Sequence, residues 1–174
     1  EPIRWGILGA GVIAGRLADA VAREPDCELV AVASRTPGKA EAFAERHGIA
    51  GAASHEALVG DPSIDVVYVA TTHNFHHANA RLALEHDKHV LVEKPFTVNA
   101  AEAADLVGLS RERRRFLMEA MWTRFLPTWT ALRETIAAGV VGEIRHVDVT
   151  FGGIVPPHYE QRLKDPALDR KSVV

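Results

Sequence analysis

The sequence predicts an α/β protein built on a doubly wound parallel sheet. Short apolar runs alternate with segments of helical period across residues 3–138, and a glycine loop joins the first run to the first helix. Near Gly142 the texture changes to strict apolar–polar alternation, which predicts a domain boundary there: residues 1–142 form the first domain and 143–174 begin a second.

Taken in order, Ile3-Arg4-Trp5-Gly6-Ile7-Leu8 reads as a buried strand, and Leu17, Ala18 and Val21 give the next segment a helical period. Residues 28–33 form a second strand, and residues 39–47 a helix that Gly48 ends at a natural C′ position. A short helix over 55–59 precedes a third strand over 65–70. A helix over 75–85, a strand over 89–92, a helix over 100–111 and a strand over 116–120 continue the alternation. The helix over 128–138 ends near Gly139 and returns the chain. Residues 144–151 alternate apolar and polar side chains, which predicts a half-exposed strand, and from Pro156 onward no regular structure is expected.

Composition narrows the function classes. The 174 residues are 47% hydrophobic and 25% charged, in the range of soluble globular proteins. A net charge of -3 gives no reason to expect a nucleic-acid or membrane partner. The basic cluster Arg111, Arg113, Arg114 and Arg115 reads as a solvated helix end. One cysteine, Cys27, forms no internal disulfide, so a reducing cytoplasm is the default expectation. No apolar stretch approaches the roughly 18 to 20 residues of a membrane helix, and the first strand runs straight into a glycine turn, unlike a signal peptide.

The loop Gly9-Ala10-Gly11-Val12-Ile13-Ala14 follows a strand and opens a helix, the context a dinucleotide fingerprint requires. Gly9 allows the tight turn, Gly11 admits a pyrophosphate close to backbone at the helix N-terminus, and Ala14 lets helix pack on strand. Val12 and Ile13 belong to the same cofactor loop. At the end of the second strand, Ser34-Arg35-Thr36 stands where an NAD site carries an acid for the ribose hydroxyls. Arg35 suits a 2′-phosphate and the Ser34 hydroxyl can donate to it, so NADP is expected over NAD; the alternative is that Arg35 lies over the adenine and serves either cofactor.

The third strand ends in Ala70-Thr71-Thr72-His73-Asn74-Phe75-His76-His77. Thr71 and Thr72 leave room for a nicotinamide ribose, and Asn74 and His76 can supply polar contacts. A metal reading of the histidines fails on spacing, because a helix splays His76 from His77 and no cysteine or acid completes the set. Glu93-Lys94-Pro95 follows the apolar run 89–92, at the rim where open α/β sheets bind ligands, so Lys94 is a candidate catalytic amine. The alternative for Lys94 is a surface lysine before a turn-forming proline.

Together, the glycine loop, the segment Ala70 to His76 and Lys88-His89-Val90-Leu91-Val92-Glu93-Lys94-Pro95 resemble the glucose-fructose oxidoreductase / inositol dehydrogenase / MocA oxidoreductase family over about the first 150 residues. Leu117-Met118-Glu119-Ala120-Met121-Trp122-Thr123-Arg124-Phe125 looks most like its dihydrodiol dehydrogenase and NADP-linked xylose dehydrogenase branch. The resemblance implies a Rossmann domain followed by an α/β domain whose mostly antiparallel sheet packs between subunits in a homo-oligomer. It implies that Lys94 is the catalytic lysine, that its bond to Pro95 is cis, and that Glu93 lies at the nicotinamide end. It also implies that Trp122 and Arg124 lie near the cofactor or the sugar, and that Arg162 reaches the cofactor. The expected activity is NADP-dependent hydride transfer on a secondary alcohol or carbonyl of a sugar, polyol or trans-dihydrodiol; the second reading is a non-catalytic NADP-binding module that senses or sequesters nucleotide.

The family pattern after Asp165-Pro166-Ala167-Leu168 is a glycine-rich stretch, an aspartate, then a histidine or tyrosine that completes the catalytic site. Here the sequence reads Asp169-Arg170-Lys171-Ser172-Val173-Val174, without that second catalytic partner. A fragment of a longer protein is the expectation.

Overall fold

The computed structural model describes residues 1–52, 54–150 and 152. The chain divides into two compact units, Glu1–Ala120 and a second that begins at Met121. In the first unit the strands β1 (Ile3–Leu8), β2 (Cys27–Ala33), β3 (Ala50–Gly51), β4 (Val66–Val69), β5 (His89–Val92) and β6 (Leu117–Glu119) form one six-stranded sheet in the order β3-β2-β1-β4-β5-β6. Every pairing is parallel. Helices α1 (Val12–Val21), α2 (Lys39–His47), α3 (His55–Val59), α4 (His76–Glu85) and α5 (Ala100–Arg113) supply the crossovers, as parallel neighbours require.

Alternation along each strand sends consecutive side chains to opposite faces. Ile7, Val32 and Tyr68 join Ala14, Ala18, Phe43 and Ala44 under α1 and α2. Leu8, Val67, Val69, Val90 and Val92 join Leu58, Val59, Leu84 and Leu106 under α3, α4 and α5. Burial on both faces explains why these strands read as near-continuous apolar runs. Each fully buried leucine or valine contributes about 1.5–3 kcal/mol relative to exposure.

Register fixes the rim. Leu8 is abreast of Ala33 on β2 and Val69 on β4; Val69 is abreast of Val92 on β5, and Val92 of Glu119 on β6. The residues that follow these positions therefore emerge side by side. Gly9, Ser34, Ala70, Glu93 and Ala120 begin five neighbouring loops.

The helix expected over 75–85 is α4, His76–Glu85, preceded by a 3-10 turn at His73–Phe75. One expectation changes. Residues 144–150 carry no strand assignment, contrary to the strand expected over 144–151. A strand exists only as a member of a ladder, and alternation in sequence supplies no partner. Position 151, the segment after Pro156 and Arg162 lie outside the described residues. The second unit holds the 3-10 turn Trp122–Phe125 and α6 (Pro127–Ala137), with Pro127 at the first helical position, where its missing N–H costs nothing.

Candidate functional site

The sheet order reverses direction at β1, whose two neighbours β2 and β4 lead away on either side. A crevice at the carboxyl ends of such strands is where an open α/β sheet takes its ligand. Gly9 closes the inner side of that crevice. Its φ is +105, and a Cβ there would meet the Ala70 carbonyl oxygen at 2.7 Å. Only glycine lets the β1–α1 turn lie so close against the end of β4.

Gly11 is the N-cap of α1, with extended backbone and no side-chain capping bond. Nothing lies within 4 Å of the position its Cβ would take. Val12 is 83% exposed and Ile13 is exposed beside it, while Ala14 is fully buried beneath. No acid occupies the first turn of α1. Its uncapped amides and positive dipole end thus face open space, a cradle that fits a pyrophosphate.

At the end of β2 the Ser34 Oγ accepts the Thr36 N–H at 3.2 Å, so its own proton is free for an outward bond. The Arg35 guanidinium lies over the Phe75 ring, 3.5 Å from its centroid. That stacking holds the planar fork face-on and leaves its N–H edge available. Both residues border an open pocket of about 370 Å³, with Thr36, Ala40, Ser54 and His55 among its other walls. His55 is buried; its Nδ1 pairs with Asn79 Oδ1 at 3.1 Å, and burial, with Arg35 nearby, pushes its pKa down. The arginine is therefore the cation of this pocket.

The rim of β4 is tied inward. Asn79 Nδ2 donates to Thr71 Oγ1 at 3.0 Å, and Thr72 Oγ1 donates to Asn74 Oδ1 at 2.8 Å, both Thr72 and Asn74 being exposed. His76 departs from its expected polar contact with cofactor. It is fully buried, with Nδ1 at 2.8 Å from the Pro95 carbonyl and Nε2 at 3.0 Å from the Thr71 carbonyl. Starting α4 directly after the 3-10 turn points the imidazole into the protein, where both nitrogens are already engaged. Among the described residues no three histidine, cysteine or acidic side chains gather as a metal group.

Just past the end of β5, Glu93 is buried and each of its carboxylate oxygens accepts a hydrogen bond. Tyr68 Oη donates to Oε1 at 2.6 Å, and the Lys94 N–H donates to Oε2 at 3.0 Å. Burial first, then the Glu93 bond, pushes the Tyr68 phenol pKa up, so it stays a donor. The Lys94–Pro95 peptide bond is cis. Lys94 itself is half-buried at the rim. Trp122 and Arg124 lie in the second unit, both exposed on its 3-10 turn.

Tyr68, Asn79 and Glu119 were not singled out from the sequence. Tyr68 carried a faint signal, a polar-tipped aromatic within an otherwise aliphatic strand. Asn79 and Glu119 carried none, since their partners are set by helix placement and strand register.

Comparison with known proteins gives the same outline. A family model described as an oxidoreductase family with an NAD-binding Rossmann fold matches residues 3–121. A human trans-1,2-dihydrobenzene-1,2-diol dehydrogenase is 43% identical over 153 residues, covering 86% of this chain and 46% of its own length. A D-xylose 1-dehydrogenase (NADP(+)) of Hypocrea jecorina is 43% identical over 157 residues, covering 82% of this chain and 40% of its own. Among solved structures, a 3-ketoreductase from Actinomadura kijaniata in complex with NADP and TDP-benzene superposes with a TM-score of 0.77 at 36% identity, covering 83% of this chain and 45% of that one. The chain spans less than half the length of these relatives.

Proposed function

The chain belongs to the oxidoreductase family with an NAD-binding Rossmann fold, and from that premise we propose that it is the cofactor-binding part of an NADP-dependent dehydrogenase. Its substrate class is a secondary alcohol or carbonyl of a sugar, polyol or trans-dihydrodiol. The observation that carries the reading is the shared rim: Gly9, Ser34, Ala70 and Glu93 each follow a strand end that lies abreast of the next. The relatives' activities on a dihydrodiol and on xylose support the substrate class, and the NADP-bound ketoreductase supports the cofactor.

In this reading the α1 amides, with Gly9, Gly11, Val12 and Ile13, take the pyrophosphate. Arg35, held by Phe75, pairs with the 2′-phosphate and Ser34 donates its remaining proton there. Thr71, Thr72 and Asn74 border the nicotinamide ribose. NADP supplies the hydride acceptor or donor. Lys94 provides the acid–base group: its ammonium hydrogen-bonds the substrate oxygen, stabilises developing alkoxide and relays the proton. Glu93 anchors the lysine's backbone. Trp122, Arg124 and Arg162 add contacts to cofactor or sugar, and the region after Gly142 begins the substrate and oligomer domain.

Replacement of Lys94 by alanine tests this reading. In the full-length protein, turnover with xylose or a trans-dihydrodiol should fall about 10²–10⁴-fold, the range for loss of an acid–base group. NADP affinity, by titration, should stay within about twofold because Lys94 does not hold the phosphates. Turnover near that of the parent would remove Lys94 from the reaction.

A further inference from the structure

We propose that Glu119 and His76 are positioning residues that fix where the Lys94 ammonium points; the proposal rests on the reading of Lys94 as the catalytic lysine. Three consecutive residues of the turn after β5 are each held through backbone by a carboxylate or an imidazole. The Lys94 N–H donates to Glu93 Oε2 at 3.0 Å, the Pro95 carbonyl faces His76 Nδ1 at 2.8 Å, and the Phe96 N–H donates to Glu119 Oε1 at 2.8 Å.

These grips come from different elements. Glu93 is the first residue past β5, His76 opens α4, and Glu119 ends β6, directly abreast of Val92. A loop leaving a sheet loses its ladder partners, and its buried N–H and C=O groups must find others. Here the partners converge on the residue carrying the candidate amine and the two after it. Pro95 has no N–H, so its carbonyl is its only backbone handle. The His76 ring faces two carbonyls, Pro95 at Nδ1 and Thr71 at Nε2, so it ties the turn after β5 to the end of β4.

The lysine side chain is a flexible four-carbon stem, so its ammonium is placed only as well as its Cα is held. Catalytic groups tolerate displacements of about 0.5 Å, and a misplacement of about 1 Å costs on the order of 10²-fold in rate. Neither Glu119 nor His76 needs to touch substrate to control turnover. The Glu119 grip holds Phe96 from the neighbouring strand and the His76 grip holds Pro95 from the helix side, so the turn is tied to two separate elements.

The test uses isosteric pairs in the full-length protein. Glu119→Gln keeps an Oε1 that accepts the Phe96 N–H, whereas Glu119→Leu removes it. The amide nitrogen of His76→Asn reproduces the reach of Nδ1 to Pro95, and that of His76→Gln reproduces the reach of Nε2 to Thr71. Glu119→Leu and His76→Gln should lower kcat about 10–100-fold with KM for NADP within about twofold, while Glu119→Gln and His76→Asn should restore kcat.

A readout independent of turnover accompanies these rates. After reductive ¹³C-methylation of this chain, the Lys94 signal, assigned by its loss in Lys94→Ala, should be single and sharp in the parent and in Glu119→Gln. It should broaden or split in Glu119→Leu. Parental kcat in Glu119→Leu, with only a lower Tm, would overturn the proposal. Should that variant fail to fold, equal kcat in His76→Asn and His76→Gln would overturn it. If Lys94→Ala itself retains turnover, the catalytic reading fails instead, and an unchanged Lys94 signal in Glu119→Leu would then dismiss the positioning role separately.

Discussion

Arg35 and Asp65 show how differently a charge behaves at the rim and at the opposite end of the sheet. Arg35 is stacked on Phe75 with an open pocket before it, so its guanidinium is pre-oriented for an anion rather than satisfied by one. Arg35→Asp should weaken NADP binding by about 1.5–3 kcal/mol, roughly 10- to 150-fold, the value of a charge-assisted bond. NAD binding should change little; equal losses for both cofactors in a fluorescence titration would move Arg35 to the adenine. Asp65 instead meets Arg4 bidentately, Oδ1 accepting from Nη2 at 2.8 Å and Oδ2 from Nε at 2.9 Å. Hydrogen bonding to Arg4 first, with its charge, lowers the Asp65 pKa from 3.8 to about 2. A depressed folded-state value stabilises fully above the unfolded pKa, and that stability is lost as pH falls from about 4 through 2. Since both side chains are more than one-third exposed, solvent screening keeps the pair's contribution small. Asp65→Asn should therefore lower Tm near pH 7 and converge on the parent near pH 2; a constant gap across that range would assign the loss to packing.

Among the elements, the β1–α1 loop separates glycines that serve the fold from glycines that serve a ligand. Ala at Gly9 would force φ +105 on a residue with a side chain and drive its Cβ to 2.7 Å from the Ala70 carbonyl oxygen. Strain of about 1–3 kcal/mol plus that clash should lower the Tm of Gly9→Ala by about 10 °C or more. Gly11 has extended backbone and open space around its missing Cβ. Gly11→Ala should keep Tm within about 2 °C, a surface-like effect, yet weaken NADP where the methyl meets pyrophosphate. Equal Tm losses in the two variants would contradict this division. The glycine loop, like every long apolar run, was legible because motif and periodicity are local. The two-residue β3 at Ala50–Gly51 left no periodic trace. His76 was legible as a rim residue but not as an inward one, because the 3-10 turn before it resets the helical phase. The Tyr68–Glu93 bond was invisible for a related reason: it depends on Tyr68 standing abreast of Leu91, which places Glu93 one residue past the strand end within reach of the phenol.

For the whole molecule, the two hydrophobic clusters of the parallel sheet are built from residues between Trp5 and Ala120, so the first unit contains both layers of a folding domain. The glycine loop, the Ser34–Arg35 pair, the Thr71–Asn74 rim and Lys94 also belong to that unit, while Trp122 and Arg124 belong to the second. Sheet and crevice are thus specified by one stretch of sequence, and on the proposed reading that stretch carries the residues that hold the cofactor phosphates. In the chain as it stands, Ile3 and Phe116 of this unit are exposed beside Trp5, Leu91 and Met118 on an apolar sheet face. A protein of residues 1–120 should therefore unfold cooperatively by circular dichroism but show a tendency to self-associate on size exclusion. Titrated with NADPH at low micromolar concentration, it should bind within about tenfold of the 174-residue chain, a difference of no more than about 1.4 kcal/mol. A loss beyond about 100-fold in a folded monomer would mean that binding energy resides after Ala120. Substitutions of Trp122 and Arg124 in the longer chain would then apportion it, and the pyrophosphate and 2′-phosphate contacts would no longer account for the affinity.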